Sequence, residues 1–170
     1  MRHVILCDEQ GNPKGTTSIA DAHKAPGRLH KAFSVFLIDQ QRKEILMQLR
    51  AQDKLFGGLW SNTCCSHPQE DQKILLAGMQ RTKYECGFDC PPLQELCSFV
   101  YEAEDPNGKG WEREYDTVLV GDAFRSVPLN PNQKEIKELK WMSLKQIQRD
   151  LSPEIYTPWF LIAFKRILDN

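Results

Sequence analysis

This chain of 170 residues lacks a large excess of charge of either sign, lacks long apolar runs, and has only four histidines. The net charge is −1, so no broad basic surface is available to hold nucleic acid or an anionic membrane. The longest apolar stretches, such as 33–38 and 159–164, are too short to cross a bilayer, and no signal peptide is visible. We therefore expect neither a nucleic-acid-binding protein nor a membrane protein, and an anionic ligand would need a local cluster of cations.

Cysteine is present, but without the regular spacing of a small secreted disulfide scaffold. We therefore expect a reducing, cytoplasmic location. Cys86, Cys90 and Cys97 could form a zinc cluster, but they lack a C-x-x-C pair, which weakens that alternative. The length suits one domain over residues 1–170, with short N- and C-terminal extensions. It is sufficient to bury a hydrophobic core without disulfides to hold the fold together.

Apolar patterning predicts strands that alternate with turns, together with one long central helix. The predicted strands cover residues 4–7, 33–38, 44–49, 96–103, 112–120 and 139–142. Helices are predicted over 71–86, from Ser143 onward, and from Pro158 toward Leu168. Gly87 stands where a glycine commonly ends a helix. Strands and hairpins around one long helix predict an α/β sandwich with a mixed sheet.

Three of the four histidines could share a metal site with two glutamates. Glu112 and Glu114 are two residues apart on a predicted strand, so their carboxylates point to one face. Three imidazoles and two carboxylates would suit Mn, Zn, Fe or Mg ions. No tight spacing joins these residues in sequence, so unrelated surface positions are the alternative. The candidate ligands are His23, His30, His67, Glu112 and Glu114.

Residues 62–68 read Asn-Thr-Cys-Cys-Ser-His-Pro and contain two adjacent cysteines. In an extended segment neighbouring side chains point in opposite directions, so Cys65 shares a side with His67 and Cys64 faces away. A thiol beside a cation can serve as a base or a nucleophile. Two buried, inert cysteines are the alternative, because cysteine often packs as a small hydrophobic residue.

Residues 66–88 have the length of a Nudix box, G-x₅-E-x₇-R-E-U-x-E-E-x-G-U with U apolar, in which only Glu85 keeps its carboxylate. A diphosphate hydrolase needs several carboxylates to hold divalent ions and activate water. One glutamate can still help to hold one Mg²⁺ when phosphate oxygens supply other ligands. The segment therefore predicts diphosphate binding without hydrolysis, with an ordinary amphipathic helix as the alternative. The altered box positions are Ser66, Gln72, Gln80, Arg81 and Tyr84.

Taken together, several segments resemble the type I isopentenyl diphosphate isomerases, in the same order and with similar spacing from about residue 4 to 159. These segments are residues 28–34, 60–68, 84–87, 101–103 and 111–115. The resemblance implies a Nudix-like α/β/α sandwich with a mixed β-sheet. It also implies interconversion of isopentenyl diphosphate and dimethylallyl diphosphate through a tertiary carbocation. We expect a monomer or a weak dimer.

The resemblance also implies how the reactive groups are used. The five His and Glu candidates would bind Mn²⁺ or Zn²⁺, and Glu85 with the Cys65 carbonyl would bind a Mg²⁺ that arrives with the diphosphate. Cys65 and Glu114 would be the acid–base pair, with Tyr101 hydrogen-bonded near Glu114. Which of the two donates the proton stays open at this point.

Binding of the substrate is likewise implied by the resemblance. Trp159 would face the isoprenoid, since an indole face attracts cations, although core packing is the usual role of such a residue. The residues that would clamp the diphosphate are Arg50, Lys54 and Arg81. Solvated surface charge is the alternative for these three. The family usually has a lysine where this chain has Ile19, so one contact is either missing or supplied by Lys14 or Lys24.

Two other functions compete with the isomerase. A Nudix hydrolase of a nucleoside diphosphate derivative would share the fold, but the altered box and the Cys65/Glu114 pair argue against it. A non-enzymatic metal-binding module would keep the fold and the metal without the reaction. The presence of every proposed acid, base and ligand argues against that module.

Overall fold

The computed structural model describes residues 2–169, which form one mixed sheet with helices packed on both faces. The strands are β1 (His3–Cys7), β2 (Pro13–Ser18), β3 (His30–Asp39), β4 (Glu44–Arg50), β5 (Trp60–Ser61), β6 (Cys64–Ser66), β7 (Gln94–Glu104), β8 (Trp111–Asp122) and β9 (Ile136–Ser143). The helices are α1 (Ile19–Ala22), α2 (Ile74–Cys86), α3 (Leu144–Arg149) and α4 (Pro158–Leu168). Within the described residues, every helix is too short or too polar to span a bilayer.

The strand β3 lies at the centre of the sheet. It runs parallel to β8, and it pairs antiparallel with β1, β4 and β6. The remaining long strands extend the sheet on both sides, since β7 pairs with β8 and β9 pairs with β4. The parallel register sets His30 beside Glu114, which already joins two of the candidate metal ligands.

Alternation along β3 divides the core into two layers. Phe33, Val35 and Leu37 pack on the face covered by α2, whereas Phe36 and Ile38 pack on the face covered by α4. Side chains on a strand alternate between faces, and an almost continuous apolar run is what a strand buried on both faces requires. The predicted α/β/α sandwich with a mixed sheet is confirmed.

The structure differs locally from the sequence predictions. The helix predicted from residue 71 begins at Ile74, because Asp71 has a φ of +60°, a left-handed conformation that cannot open a right-handed helix. The strand β2 was not expected, because its exposed Pro-Lys-Gly-Thr-Thr-Ser sequence has no apolar alternation. The glycine prediction is correct: Gly87 ends α2 with a φ of +80°.

Candidate active site

Three histidines and two glutamates meet where β3 and β8 begin and β6 ends. One donor atom from each of the five side chains lies within 4.8 Å of the others. The Nε2 atoms of His30 and His67 are 3.1 Å apart, and His67 Nε2 is 2.8 Å from Glu114 Oε1. The structure thus brings together the whole predicted set, which is His23, His30, His67, Glu112 and Glu114.

Tertiary pairing, not local sequence, explains this convergence. His30 opens β3 beside Glu114 of the parallel strand β8, and β6 lies antiparallel to β3, so that His67 emerges next to them. His23 directly follows α1, and its carbonyl accepts a 2.9 Å hydrogen bond from the backbone N–H of Trp111. Four separate segments therefore reach one point.

The polar contacts leave donor atoms that suit a divalent metal ion. His30 Nδ1 donates to the Arg28 carbonyl at 2.7 Å, and His23 Nδ1 lies 3.0 Å from the Trp111 carbonyl. Such carbonyls hold the proton on Nδ1 and leave the Nε2 lone pair for a ligand. Glu112 Oε2 is buried and lies 3.0 Å from the same His23 Nδ1, so it competes with the Trp111 carbonyl for one N–H. Imidazole nitrogens and carboxylate oxygens that converge within 4.8 Å of one another fit such an ion.

Burial and neighbouring charges shift the pKa values of the candidate metal ligands in opposite directions. Burial, with the charge of Glu114 beside it, raises the pKa of Glu112 to about 7. Burial also acts to raise the pKa of Glu114, but hydrogen bonds from His30 and His67 outweigh it and hold that pKa well below its usual range. Burial lowers the pKa of His67 to about 4, so its imidazole is neutral near pH 7, as metal binding requires.

The two cysteines of β6 point in opposite directions, as the alternation predicted. Cys64 is fully buried in the core beneath α2, whereas Cys65 lines a cavity together with His67. Cys65 Sγ donates to Asn62 Oδ1 at 3.1 Å and accepts from Trp159 Nε1 at 3.0 Å. Burial raises the pKa of Cys65 to about 12, so the group facing the cavity is a protonated thiol.

Two aromatic side chains lie between the thiol and the metal cluster. Tyr101 donates a 2.6 Å hydrogen bond to Glu114 Oε2. Trp159 is 2% exposed, and its ring centroid lies 5.8 Å from that of Tyr101. The Arg50 guanidinium stands over the Trp159 ring, 5.1 Å from its centroid. Trp159 is therefore a packed side chain, and one face of its indole already carries a cation.

A cavity of about 240 Å³ opens beside the thiol and the metal cluster. Arg50 from the end of β4, Lys54 from the loop that follows and Arg81 from α2 all line it, and Arg2 is a fourth cation in its wall. Glu85 lines it too, is only 3% exposed, and pairs through Oε1 with Arg81 Nε at 2.6 Å. The three cations implied by the resemblance thus share one cavity with the single box glutamate.

The altered positions of the phosphate box have taken other roles in the helix. Gln72 Nε2 donates to Gln80 Oε1 at 2.9 Å, so these two amides bond to one another. Tyr84 is 54% exposed and lies under Arg81, whose Cζ is 4.8 Å from the ring centroid. Neither pair offers the carboxylate oxygens that a hydrolase would use to hold several divalent ions.

Comparison with known proteins identifies the family. The NUDIX domain family matches residues 28–160. The isopentenyl-diphosphate Delta-isomerase of Photobacterium profundum is 40% identical, over 98% of this chain and 94% of its own length. The isopentenyl-diphosphate Delta-isomerase 2 of Photorhabdus laumondii is 39% identical, over 92% and 87% respectively. This chain belongs to the isopentenyl-diphosphate Delta-isomerase family.

The same fold occurs in hydrolases. The crystal structure of a MutT NUDIX hydrolase from Burkholderia pseudomallei superposes with a TM-score of 0.65 over 82% of this chain and 98% of that one. The two sequences are 16% identical, so the likeness concerns the fold alone. The isomerase family therefore uses a Nudix sandwich whose box, in this chain, has lost most of its carboxylates.

This isomerase-family chain has an acidic cavity residue that sequence analysis missed. Glu135 forms ion pairs with Lys54 and, through Oε1 at 3.0 Å, with Arg81 Nη2. The loop before it is fixed because Asn132 N–H donates to the Glu85 carbonyl at 2.8 Å. No local pattern marks Glu135, since its importance comes from a loop folding back over the end of α2.

Gln48 is a second cavity residue of the isomerase that was missed. It is 1% exposed, and its Nε2 has no hydrogen-bond partner. Gln48 and Arg50 are two residues apart on β4, so both point to the same face. That spacing was a usable signal, because a polar residue in phase with a predicted phosphate-binding arginine on a buried strand is unusual.

Proposed function

We propose that this chain interconverts isopentenyl diphosphate and dimethylallyl diphosphate, using Cys65 and Glu114 as its acid–base pair. One observation carries the proposal: a single cavity is lined by the Cys65 thiol, by three residues of the cluster that contains Glu114 (His23, His67 and Glu112), and by the cations Arg50, Lys54 and Arg81. Such a cavity can hold a diphosphate at one end and present the isoprenoid carbons to two proton-transferring groups.

The reaction adds a proton to the terminal alkene carbon and removes another from the carbon nearer the diphosphate. Cys65 is a buried, protonated thiol, so it has a proton to give to the alkene. It becomes a thiolate when it donates, and it regains a proton by exchange with solvent as Glu114 releases the one that it accepted. Glu114 is held ionised by His30 and His67 and is oriented by Tyr101, so it can accept one. We assign the donor role toward isopentenyl diphosphate to Cys65 and the acceptor role to Glu114. A free thiol in this role suits the reducing cytoplasm.

A tertiary carbocation between the two steps needs stabilisation without a nucleophile. We assign this role to Trp159, because an indole face attracts a desolvated cation by about 2 kcal/mol. Arg50 now occupies that position at 5.1 Å. A diphosphate that draws Arg50 toward its oxygens would free the ring face for the carbocation. Exclusion of water then prevents capture of the cation.

The five-residue cluster would hold Mn²⁺ or Zn²⁺, which would neutralise the paired carboxylates and fix Glu114 in place. Glu85, with the Cys65 carbonyl, would hold a Mg²⁺ that enters with the diphosphate. Glu85 is suited to that role because it is buried at the cavity wall beside Arg81 and close to the other cations.

Hydrolysis of a nucleoside diphosphate derivative is the competing function, because a MutT hydrolase shares the fold. The altered box argues against it, since Gln72, Arg81 and Tyr84 stand where the hydrolase box has glutamates. Phosphate release from a panel of nucleotides separates the two functions. We expect none above the uncatalysed rate.

The decisive experiment is NMR of isopentenyl diphosphate incubated with the protein, Mg²⁺ and Mn²⁺ in D₂O. Dimethylallyl diphosphate should appear with deuterium in its new methyl group, because the added proton comes from an exchangeable group. A folded Glu114→Gln protein serves as the control and should give neither product nor exchange. Absence of both signals with the wild-type protein would remove the isomerase function.

A further inference from the structure

The cavity wall contains an apolar residue at a position where the family usually has a lysine. Ile19, the first residue of α1, lines the cavity close to His23 and Lys54. The two lysines considered as replacements do not line it. Lys14 is exposed and pairs with Asp8 at 3.1 Å, and Lys24 lines a neighbouring hollow.

A different cation reaches the wall beside Ile19. The backbone N–H of Ile19 donates to the Arg2 carbonyl at 3.0 Å, which places Arg2 directly alongside the start of α1. The Arg2 side chain lines the cavity, and its Nη2 donates to Ser66 Oγ at 2.7 Å. Ser66 stands at the glycine position of the phosphate box, so this hydrogen bond also depends on a departure from the box pattern.

The charge of Arg2 is not neutralised by an ion pair. Among residues 2–169, no carboxylate lies within ion-pair distance of its guanidinium, whereas Lys54 and Arg81 both pair with Glu135. Burial and the neighbouring positive charge of Arg81 lower the pKa of Arg2. The carboxylates Glu135 and Glu85 act in the opposite direction, but both are paired with Arg81, so the guanidinium of Arg2 keeps donors that an anion in the cavity can use.

We propose that Arg2 replaces the missing lysine and binds a diphosphate oxygen of the substrate. The inference rests on the proposed function for the identity of the ligand. A guanidinium presents two parallel N–H groups, which match the oxygens of a phosphate better than an ammonium does. One donor is used by Ser66 and orients the group, which leaves the others for the ligand.

The test measures binding of Mg²⁺–pyrophosphate by calorimetry and kcat and KM for isopentenyl diphosphate. The affinity tag is placed at the C-terminus, so that the chain around Arg2 is unaltered. Arg2→Ala should raise the pyrophosphate Kd and the KM about tenfold, the loss of one charge-assisted contact, with a smaller change in kcat. Arg2→Lys should lose less pyrophosphate affinity than Arg2→Ala, because it keeps the positive charge but not the two parallel N–H donors of the guanidinium.

A rescue variant separates ligand binding from a structural role. Ile19→Lys in the Arg2→Ala background returns a cation to the same wall and should recover most of the affinity. Lys145→Ala removes an exposed charge on α3, which contributes no residue to the cavity, and is the matched control, with affinity near wild type.

Three results would overturn the inference. Arg2→Ala could bind pyrophosphate as the wild type does. Lys14→Ala or Lys24→Ala could produce the loss instead. The weaker binding of Arg2→Ala could come with a lower Tm and no recovery by Ile19→Lys, which would make Arg2 structural. Failure of the proposed function is a separate outcome, since the wild-type protein would then bind pyrophosphate but give no dimethylallyl diphosphate.

Discussion

Replacing Cys65 and Cys64 by alanine, one at a time, should separate turnover from stability. The two residues are adjacent in β6, and each substitution removes one sulfur atom, so the two variants are matched in chemistry and in strand position. They differ in direction, since Cys65 lines the cavity and Cys64 is 0% exposed in the core. Cys65→Ala should lose kcat and keep its fold, whereas Cys64→Ala should do the opposite.

The contacts of each thiol determine how much stability and turnover each substitution should cost. Loss of Sγ from Cys65 removes one acceptor of the Trp159 Nε1–H, which keeps Ser61 Oγ at 3.0 Å and Asn62 Oδ1 at 3.1 Å. No buried donor is left unpaired, so Cys65→Ala should cost less than about 1 kcal/mol of stability. Removing a proton-transfer group should lower kcat about 10²- to 10⁴-fold. Cys64→Ala leaves a small cavity and should cost about 1 kcal/mol.

The assays are conversion of isopentenyl diphosphate followed by NMR and thermal unfolding followed by circular dichroism. For Cys64→Ala we expect a Tm lower by about 2–4 °C with kcat near the wild-type value. For Cys65→Ala we expect a nearly unchanged Tm with product at the limit of detection. Turnover by Cys65→Ala near the wild-type rate, or a folded Cys64→Ala without turnover, would refute the assignment of Cys65 to the active site and Cys64 to the core.

Four further outcomes are expected. Tyr101→Phe removes the 2.6 Å hydrogen bond to Glu114 and should lower kcat about tenfold at an unchanged KM, as steady-state kinetics can check. Glu114→Gln should lose turnover and also bound metal, which elemental analysis after dialysis measures; full metal content would argue against its role as a ligand. Gln48→Leu removes a buried, unsatisfied amide and should raise Tm by about 2–4 °C while raising KM, and a lower Tm would contradict this account. Chelation should lower the Tm, and Mn²⁺ or Zn²⁺ should restore it, because without a cation the buried carboxylates Glu112 and Glu114 face each other; an unaffected Tm would mean that the cluster holds no metal.

Short-range periodicity was enough to predict much of the site. Alternation along a strand put Cys65 on the side of His67 and set Glu112 and Glu114 on one face, and the structure agrees with both. This works because side chains at odd and even positions of a strand point to opposite faces of the sheet. The buried strand β3 and the helix-ending Gly87 were predicted for the same local reason.

The sequence by itself thus determined the strands with apolar patterning, the long helix, the orientation of the two cysteines and, through its motifs, the family. Only the tertiary structure decided which distant residues meet. The pairing of β3 with β8 set His30 beside Glu114, and a folded-back loop brought Glu135 to Arg81. The placement of Arg2 next to Ile19 likewise depends on the pairing of β1 with the unpredicted strand β2, which sets His3 beside Ser18. Such contacts depend on register and loop geometry, which leave no periodic trace in the chain.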